Sequence, residues 1–202
     1  RAFTLALYLK SGALPADIKI LESMTVSPTL GAESLKMSLW AGFIGLGIVI
    51  IFMMWYYRVP GLLADIALIF YTLVVLASMV VGNFVLSLPG IAGFILSIGM
   101  AVDANVLIFE RIKEELWSGK SLRSAVETGF KRAFSSIFDS HVTTLIGAGV
   151  IYQFGSSSVK GFGLTLMLGT ILSLVTAVFV TRVLVDLVVS SNLITNKKLY
   201  GE

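Results

Sequence analysis

The chain has 202 residues, 56% of them hydrophobic and 13% charged, with a mean hydropathy of +0.93 and a net charge of +3. Soluble domains usually carry about 25% charged residues, so the composition selects the membrane class. So small a positive charge gives no reason to expect nucleic acid as a partner, the absence of cysteine excludes disulfides and thiolate metal sites, and a single histidine excludes a histidine-rich metal site.

The opening "RAFTLALYLKSGALPADIKI" has apolar runs too short for a signal peptide, and it starts in mid-structure, so upstream residues are expected. "FTLALYLKSG" has helical periodicity with a glycine stop, and "DIKILESMTV" alternates as a strand does. Residues 1–36 are too few to bury a useful core alone, and they read as the tail of a larger α+β domain outside the membrane, with its linker.

A helix needs about 20 apolar residues to cross the hydrocarbon core. Five stretches qualify: 37–57, 62–82, 89–111, 133–154 and 162–189. They lack the two-residue alternation of barrel strands, which predicts an all-α membrane protein, a five-helix bundle over 37–190. Turn residues punctuate it, "RVPG" at 58–61 and "LPG" at 88–90. The longer connection 112–132 is polar and amphipathic, and reads as an interfacial helix pair or helical loop. Residues 191–202 form a tail.

Five spans place the two ends on opposite sides. Arg58, Arg111, Lys113, Lys120, Arg123, Lys131, Arg132, Lys197 and Lys198 fall on one side, against Lys10, Lys19, Lys36 and Lys160 on the other. The bias predicts a cytoplasmic 112–132 loop and C-terminus, with residues 1–36 outside. Arg182, late in the last span, can snorkel to the cytoplasmic side.

Small residues recur every four positions in three spans: Gly93, Ser97, Ala101 and Asn105; Ser136, Ser140, Thr144 and Ala148; Thr165, Gly169, Ser173, Ala177 and Thr181. Such ridges let helices approach closely, and they predict a compact bundle.

Asp103 sits mid-span, on a face with Gly99 and Glu110, while Asn105 lies on the seam face. A charged Asp at the bilayer centre costs about 2.5–3.5 kcal/mol and usually marks an ion or proton path; the alternative is a structural Asp bonded to a neighbouring hydroxyl. A second polar cluster, "FDSHVTTLIGAG", opens the fourth span. There Asp139 shares a face with Thr143 and Gly147, Ser140 and Thr144 lie beside them, and His141 points about 200° away. Asp139 and His141 are candidates for a proton role, or they fix the start of the helix. Asp65 reads as a helix-start residue, and Arg182 and Asp186 read as an i,i+4 pair.

"GMAVDANVLIFERIKEE" (99–115) resembles the fourth-span motif of the SecD family nearly letter for letter. "DSHVTTLIGAGVIYQFGSSSVKGFGLTL" (139–166) resembles its fifth- and sixth-span region, and "LKSGALPADIKILESMTVSPTLGAESL" (9–35) the end of its periplasmic domain. Three motifs in order cover nearly the whole chain. The resemblance implies spans two to six of a six-span half of the resistance–nodulation–division (RND) architecture, preceded by a remnant of the periplasmic domain. It implies a multi-pass protein of the bacterial inner membrane, an accessory subunit of Sec protein export driven by a proton or sodium gradient. The implied partners are SecF, fused or separate, the SecYEG channel, YajC, YidC and the exported unfolded polypeptide. The proton-pathway carboxylate falls on Asp103, supported by Asn105, Asp139, Ser140, Thr143 and Thr144.

An RND exporter of small molecules or lipids is the first rival, but Ala104 follows Asp103 where such exporters often pair two acids. The second rival is a scaffold that does not couple to a gradient. An enzyme is not expected. No nucleophile–base pair or metal constellation is visible, and "GFIGLG" (42–47) lies inside a span rather than between strand and helix. No cofactor or metal is expected.

Overall fold

A computed structural model describes residues 28–190 and, before them, the isolated helical positions Phe3, Ala6 and Leu7. The chain divides into two compact units, residues 1–33 and 34–202. The strand expected in "DIKILESMTV", most of the helix before it and the tail 191–202 lie outside the described residues. Among the described residues every element is a helix: α1 (Pro28–Tyr57), α2 (Val59–Val81), α3 (Leu88–Trp117), α4 (Leu122–Phe154), α5 (Ser157–Val175), a π-helical segment (Thr176–Thr181) and α6 (Arg182–Ser190). Taking Ser157–Ser190 as one continuous span, five helices are long and apolar enough to cross a membrane.

Local chemistry sets the breaks. Arg58 takes a left-handed φ of 53° between α1 and α2, and Pro60 occupies the first turn of α2. Ser87 caps α3 by accepting from the Gly90 amide at 3.2 Å, and Ser121 caps α4 by accepting from Ser124 at 3.4 Å. Gly119, at φ 88°, turns the chain between those two helices.

The connection expected over 112–132 is mostly helix: α3 runs to Trp117 and α4 begins at Leu122. Hydropathy ends at the lipid boundary but packing does not. Ile112, Leu116, Ala125, Val126 and Phe130 bury one face of this extension, and the buried Glu115 carboxylate lies 2.5 Å from Lys120 Nζ and 2.6 Å from Arg132 Nη1.

The small-residue ridges of α3 and of α5 with the π segment meet as one seam. Gly93, Ser97, Ala101, Asn105, Thr165, Gly169, Ser173, Ala177 and Thr181 are all buried. The two helices run parallel, so Gly93 meets Thr165 and Ser97 meets Gly169. The third ridge is buried only at Ala148. From Ala133 onward the buried positions of α4 are Ala133, Ile137, His141 and Ala148, while Ser136 and Ser140 are exposed. The neighbouring Thr143 and Thr144 hydroxyls bond their own helix, donating to the Asp139 and Ser140 carbonyls at 2.9 and 3.0 Å, so that face needs no partner helix.

α1 lies at the periphery. Met53 is its one buried residue among those described, and Trp40, Phe43, Ile48 and Trp55 face outward. Its end is fastened by Tyr57, which donates to Glu110 Oε1 at 3.0 Å. Lys113 Nζ lies 5.2 Å from the ring centres of both Tyr56 and Trp117. Aromatic and basic side chains so placed suit a membrane–water interface.

Candidate intramembrane polar site

Inside a bilayer no water is at hand to satisfy a polar group, so protein partners must. The seam does this in steps. Thr165 Oγ1 donates to the Gly90 carbonyl at 3.0 Å. Tyr71, reaching in from α2, places its hydroxyl 2.7 Å from Ser97 Oγ and 3.3 Å from the Gly169 carbonyl. Further along, Thr181 Oγ1 donates to Asn105 Oδ1 at 2.8 Å. Between Ser97/Gly169 and Asn105/Thr181, α3 advances eight residues and its partner twelve. The π segment packs more residues into each unit of rise and takes up part of the difference.

The residues singled out in the sequence divide into two groups. Asn105 and Asp103 are two positions apart and face different ways. Asn105 is buried against Thr181, whereas Asp103 is exposed beside Gly99, above which a Cβ would meet nothing within 4 Å. Asp139, Ser140 and Thr143 are exposed and Thr144 is half-buried.

His141 turns inward from that cluster and is 6% exposed. Its Nδ1 lies 2.7 Å from the Ile137 carbonyl and its Nε2 2.7 Å from Ser173 Oγ on α5. Ser173 Oγ in turn donates to the Thr170 carbonyl at 3.0 Å. An imidazole from α4 is thus held at a hydroxyl of the α3–α5 seam. The small-residue spacing that marks Ser173 was visible in the sequence; its pairing with His141 was not.

Asp65 departs from its expected helix-start role. It is 6% exposed, and neither carboxylate oxygen has a hydrogen-bond partner. The buried row Ala64, Leu68, Tyr71 and Val75 on α2 is the signal that could have placed it inside. Arg182 and Asp186 do pair, at 3.7 Å. Among the described residues, no three His, Cys, Asp or Glu side chains are grouped to hold a metal ion.

The Asn105–Thr181 bond yields a test of the seam. A double-mutant cycle with Thr181→Val and Asn105→Leu, read by reversible unfolding in mixed micelles, should show a coupling of about 1 kcal/mol. Simple additivity would mean that the bond contributes nothing beyond packing.

A carboxylate on the outer face of a transmembrane helix cannot rest against lipid without a large cost. The exposed face carrying Gly99 and Asp103 therefore suits cover by protein or by a water-filled cavity rather than by lipid.

Residues 9–191 match the family described as protein export membrane protein SecD/SecF, C-terminal. The chain is 52% identical over 197 residues to the protein translocase subunit SecD of Acidaminococcus fermentans, covering 98% of this chain and 47% of that protein. It is 54% identical over 187 residues to the corresponding subunit of Synechocystis sp., covering 93% and 40%. The chain thus spans less than half the length of these relatives. Among solved structures it resembles SecDF, a translocon-associated membrane protein, from Thermus thermophilus, with a TM-score of 0.84 and 35% identity, over 96% of this chain and 27% of that one. A structure of SecDF in a super-membrane-facing form gives 0.76, also at 35% identity, over 94% and 26%.

Proposed function

The chain belongs to the SecD/SecF family of protein-export membrane proteins, and we propose that it is the membrane part of an accessory subunit of the Sec translocase, using an ion gradient to promote export of unfolded polypeptide. Asp103 is the ion-carrying carboxylate in this reading. The observation that carries it is the position of Asp103 on an exposed mid-span face that physical chemistry forbids to lipid.

A SecF-type half, fused or separate, covers that face, and the pair works beside the SecYEG channel. Residues 1–36 lie outside the membrane and the C-terminus in the cytoplasm, in keeping with the distribution of Lys and Arg. The chain acts through conformation and carries out no covalent chemistry. Ionised, Asp103 needs a polar or charged partner across the interface; neutralised, it tolerates apolar contact. The occupied and empty states thus favour different packings of the two halves, and a domain outside the membrane reads out the change.

The test uses sealed vesicles stripped of the endogenous subunit and restored with the full-length protein and its companion half. Late-stage export of a preprotein should accelerate when a proton or sodium gradient is imposed, and only in the restored vesicles. Equal export with and without a gradient would reduce the protein to a scaffold.

A further inference from the structure

The geometry points to a binding groove for an anionic phospholipid at the Lys- and Arg-rich end of the bundle, between α4 and the π segment with α6. Two adjoining cavities form it. One, of about 280 Å³, is lined by Ile108, Phe134, Ile137 and Val178 together with Lys131 and Arg182. The other, of about 240 Å³, reaches Arg123, Asp186 and Ser190. Glu127, Phe130 and Arg182 line both. Ile137 lies six residues, about 9 Å, further into the apolar part of α4 than Lys131. The groove is therefore apolar within the span and charged at its end. Next to Val178 and Arg182 in the chain, Phe179 and Val183 are exposed, so it opens beside an apolar surface.

The charges select the head group. Arg123, Lys131 and Arg182 stand against Glu127 and Asp186, three cations and two acids, which leaves the lining one positive charge in excess. Arg182 is held by Asp186 at 3.7 Å. Among the described residues no acid pairs with Arg123 or Lys131, although Glu127 stands four positions from each. A phosphodiester carrying one negative charge above two acyl chains matches this layout. The phosphate meets Lys131, Arg123 and Arg182, and a chain lies over Phe134, Ile137 and Val178. Basic pockets between transmembrane helices take anionic head groups in this way. A zwitterionic lipid brings no net charge to the cations, and inorganic phosphate leaves the apolar part unfilled.

A companion half seated on the Asp103 face does not fill the groove. Asp103 and the groove residue Ile108 are five positions apart on α3 and point about 140° apart. On α4 the exposed Ser136 and the groove residue Phe134 are two positions apart and point about 160° apart. The groove thus lies on the far side of both helices from the polar faces that suit a protein cover, and it is left to the bilayer.

The experiment puts a fluorescent reporter in the groove. Phe134→Trp is made in the full-length protein, with the exposed Trp40, Trp55 and Trp117 replaced by Phe, and assembled with the companion half in mixed micelles. Phe138→Trp, whose native ring stacks on Phe134 at 6.0 Å, serves if the first variant does not assemble. The emission is titrated with phosphatidylglycerol brominated on its acyl chains, and separately with brominated phosphatidylcholine. Phosphatidylglycerol should quench at a mole fraction at least about fivefold lower, and Lys131→Gln and Arg182→Gln should each move its curve about fivefold toward that of phosphatidylcholine. Excess inorganic phosphate, compared with potassium chloride of equal ionic strength, should leave the curve in place. Equal quenching by the two lipids would mean unselective boundary lipid, and absence of quenching in the assembled complex would mean that protein covers the groove. Displacement by inorganic phosphate would mean an anion site in which the acyl chains take no part. Each of these results, or an unmoved curve in both charge variants, would overturn the inference.

Discussion

Asp103→Asn should bring gradient-stimulated export down to the level seen without a gradient, while leaving that basal level and assembly with the companion half unchanged. The substitution preserves shape and removes only the capacity to carry charge. Asp103 lies on the open face and contributes nothing to the α3–α5 seam, so the packing of the chain has no reason to change. Asp103→Glu keeps the acid but moves it by one methylene. It should retain part of the stimulation, because a displacement of about 1 Å at a reacting group can cost up to 100-fold. Export in sealed vesicles with an imposed gradient, with co-isolation of the two halves as the control for assembly, reads both variants. Full stimulation in Asp103→Asn would leave the carboxylate with a structural role alone.

The second large effect concerns stability. Gly129 on α4 faces the backbone of α3, and a Cβ there would lie 2.8 Å from the Ile112 amide nitrogen and 2.9 Å from its Cα. Backbone cannot rotate out of the way, so the two helices would have to separate at a fully packed point. Gly129→Ala should therefore cost about 2–3 kcal/mol, seen as a fall of several degrees in the melting temperature of the full-length protein in detergent. Gly93→Ala meets the Phe162 carbonyl at 2.8 Å and should behave alike in the α3–α5 seam. Gly45 on the peripheral α1 is the contrast: a Cβ would meet nothing within 4 Å, and Gly45→Ala should be neutral or mildly stabilising through helix propensity. Equal losses at Gly45 and Gly129 would show that the substitutions act through the helix backbone and not through the contact.

The five spans and the two small-residue ridges that form the seam were legible in the sequence, because both are properties of a single helix: a run of apolar residues and a spacing of four. The rotation of α4 was not. Its Ser136–Ser140–Thr144 ridge and the buried Ala133–Ile137–His141–Ala148 face lie side by side on the cylinder. Both contain small residues, and the Thr143 and Thr144 hydroxyls bond within their own helix, which lowers the penalty that would have told the two faces apart.

Pairings between helices were hidden for a related reason. His141 and Ser173 are 32 positions apart, Asn105 and Thr181 76, and no local pattern encodes which hydroxyl meets which ring. The π segment carries no composition cue either; it shows as the register change along the seam between Ser97/Gly169 and Asn105/Thr181. The mid-span carboxylate of Asp103, by contrast, is conspicuous in the sequence, since an Asp in the middle of an apolar run is costly wherever the helix turns it. Asp65 reads as a helix-start residue in the sequence because it stands near a span end, where an acidic residue is ordinary, although its helix face is buried.

In the proposed function Asp103 carries the ion that drives export. The most direct measurement is proton entry into sealed vesicles, followed with a trapped pH-sensitive dye while the full-length protein and its companion half export a preprotein, in parallel with sodium uptake. An inward ion flux should rise with export in the wild type and vanish in Asp103→Asn. A flux that persists in Asp103→Asn, or export that proceeds at the stimulated rate with no flux of either ion, would contradict it.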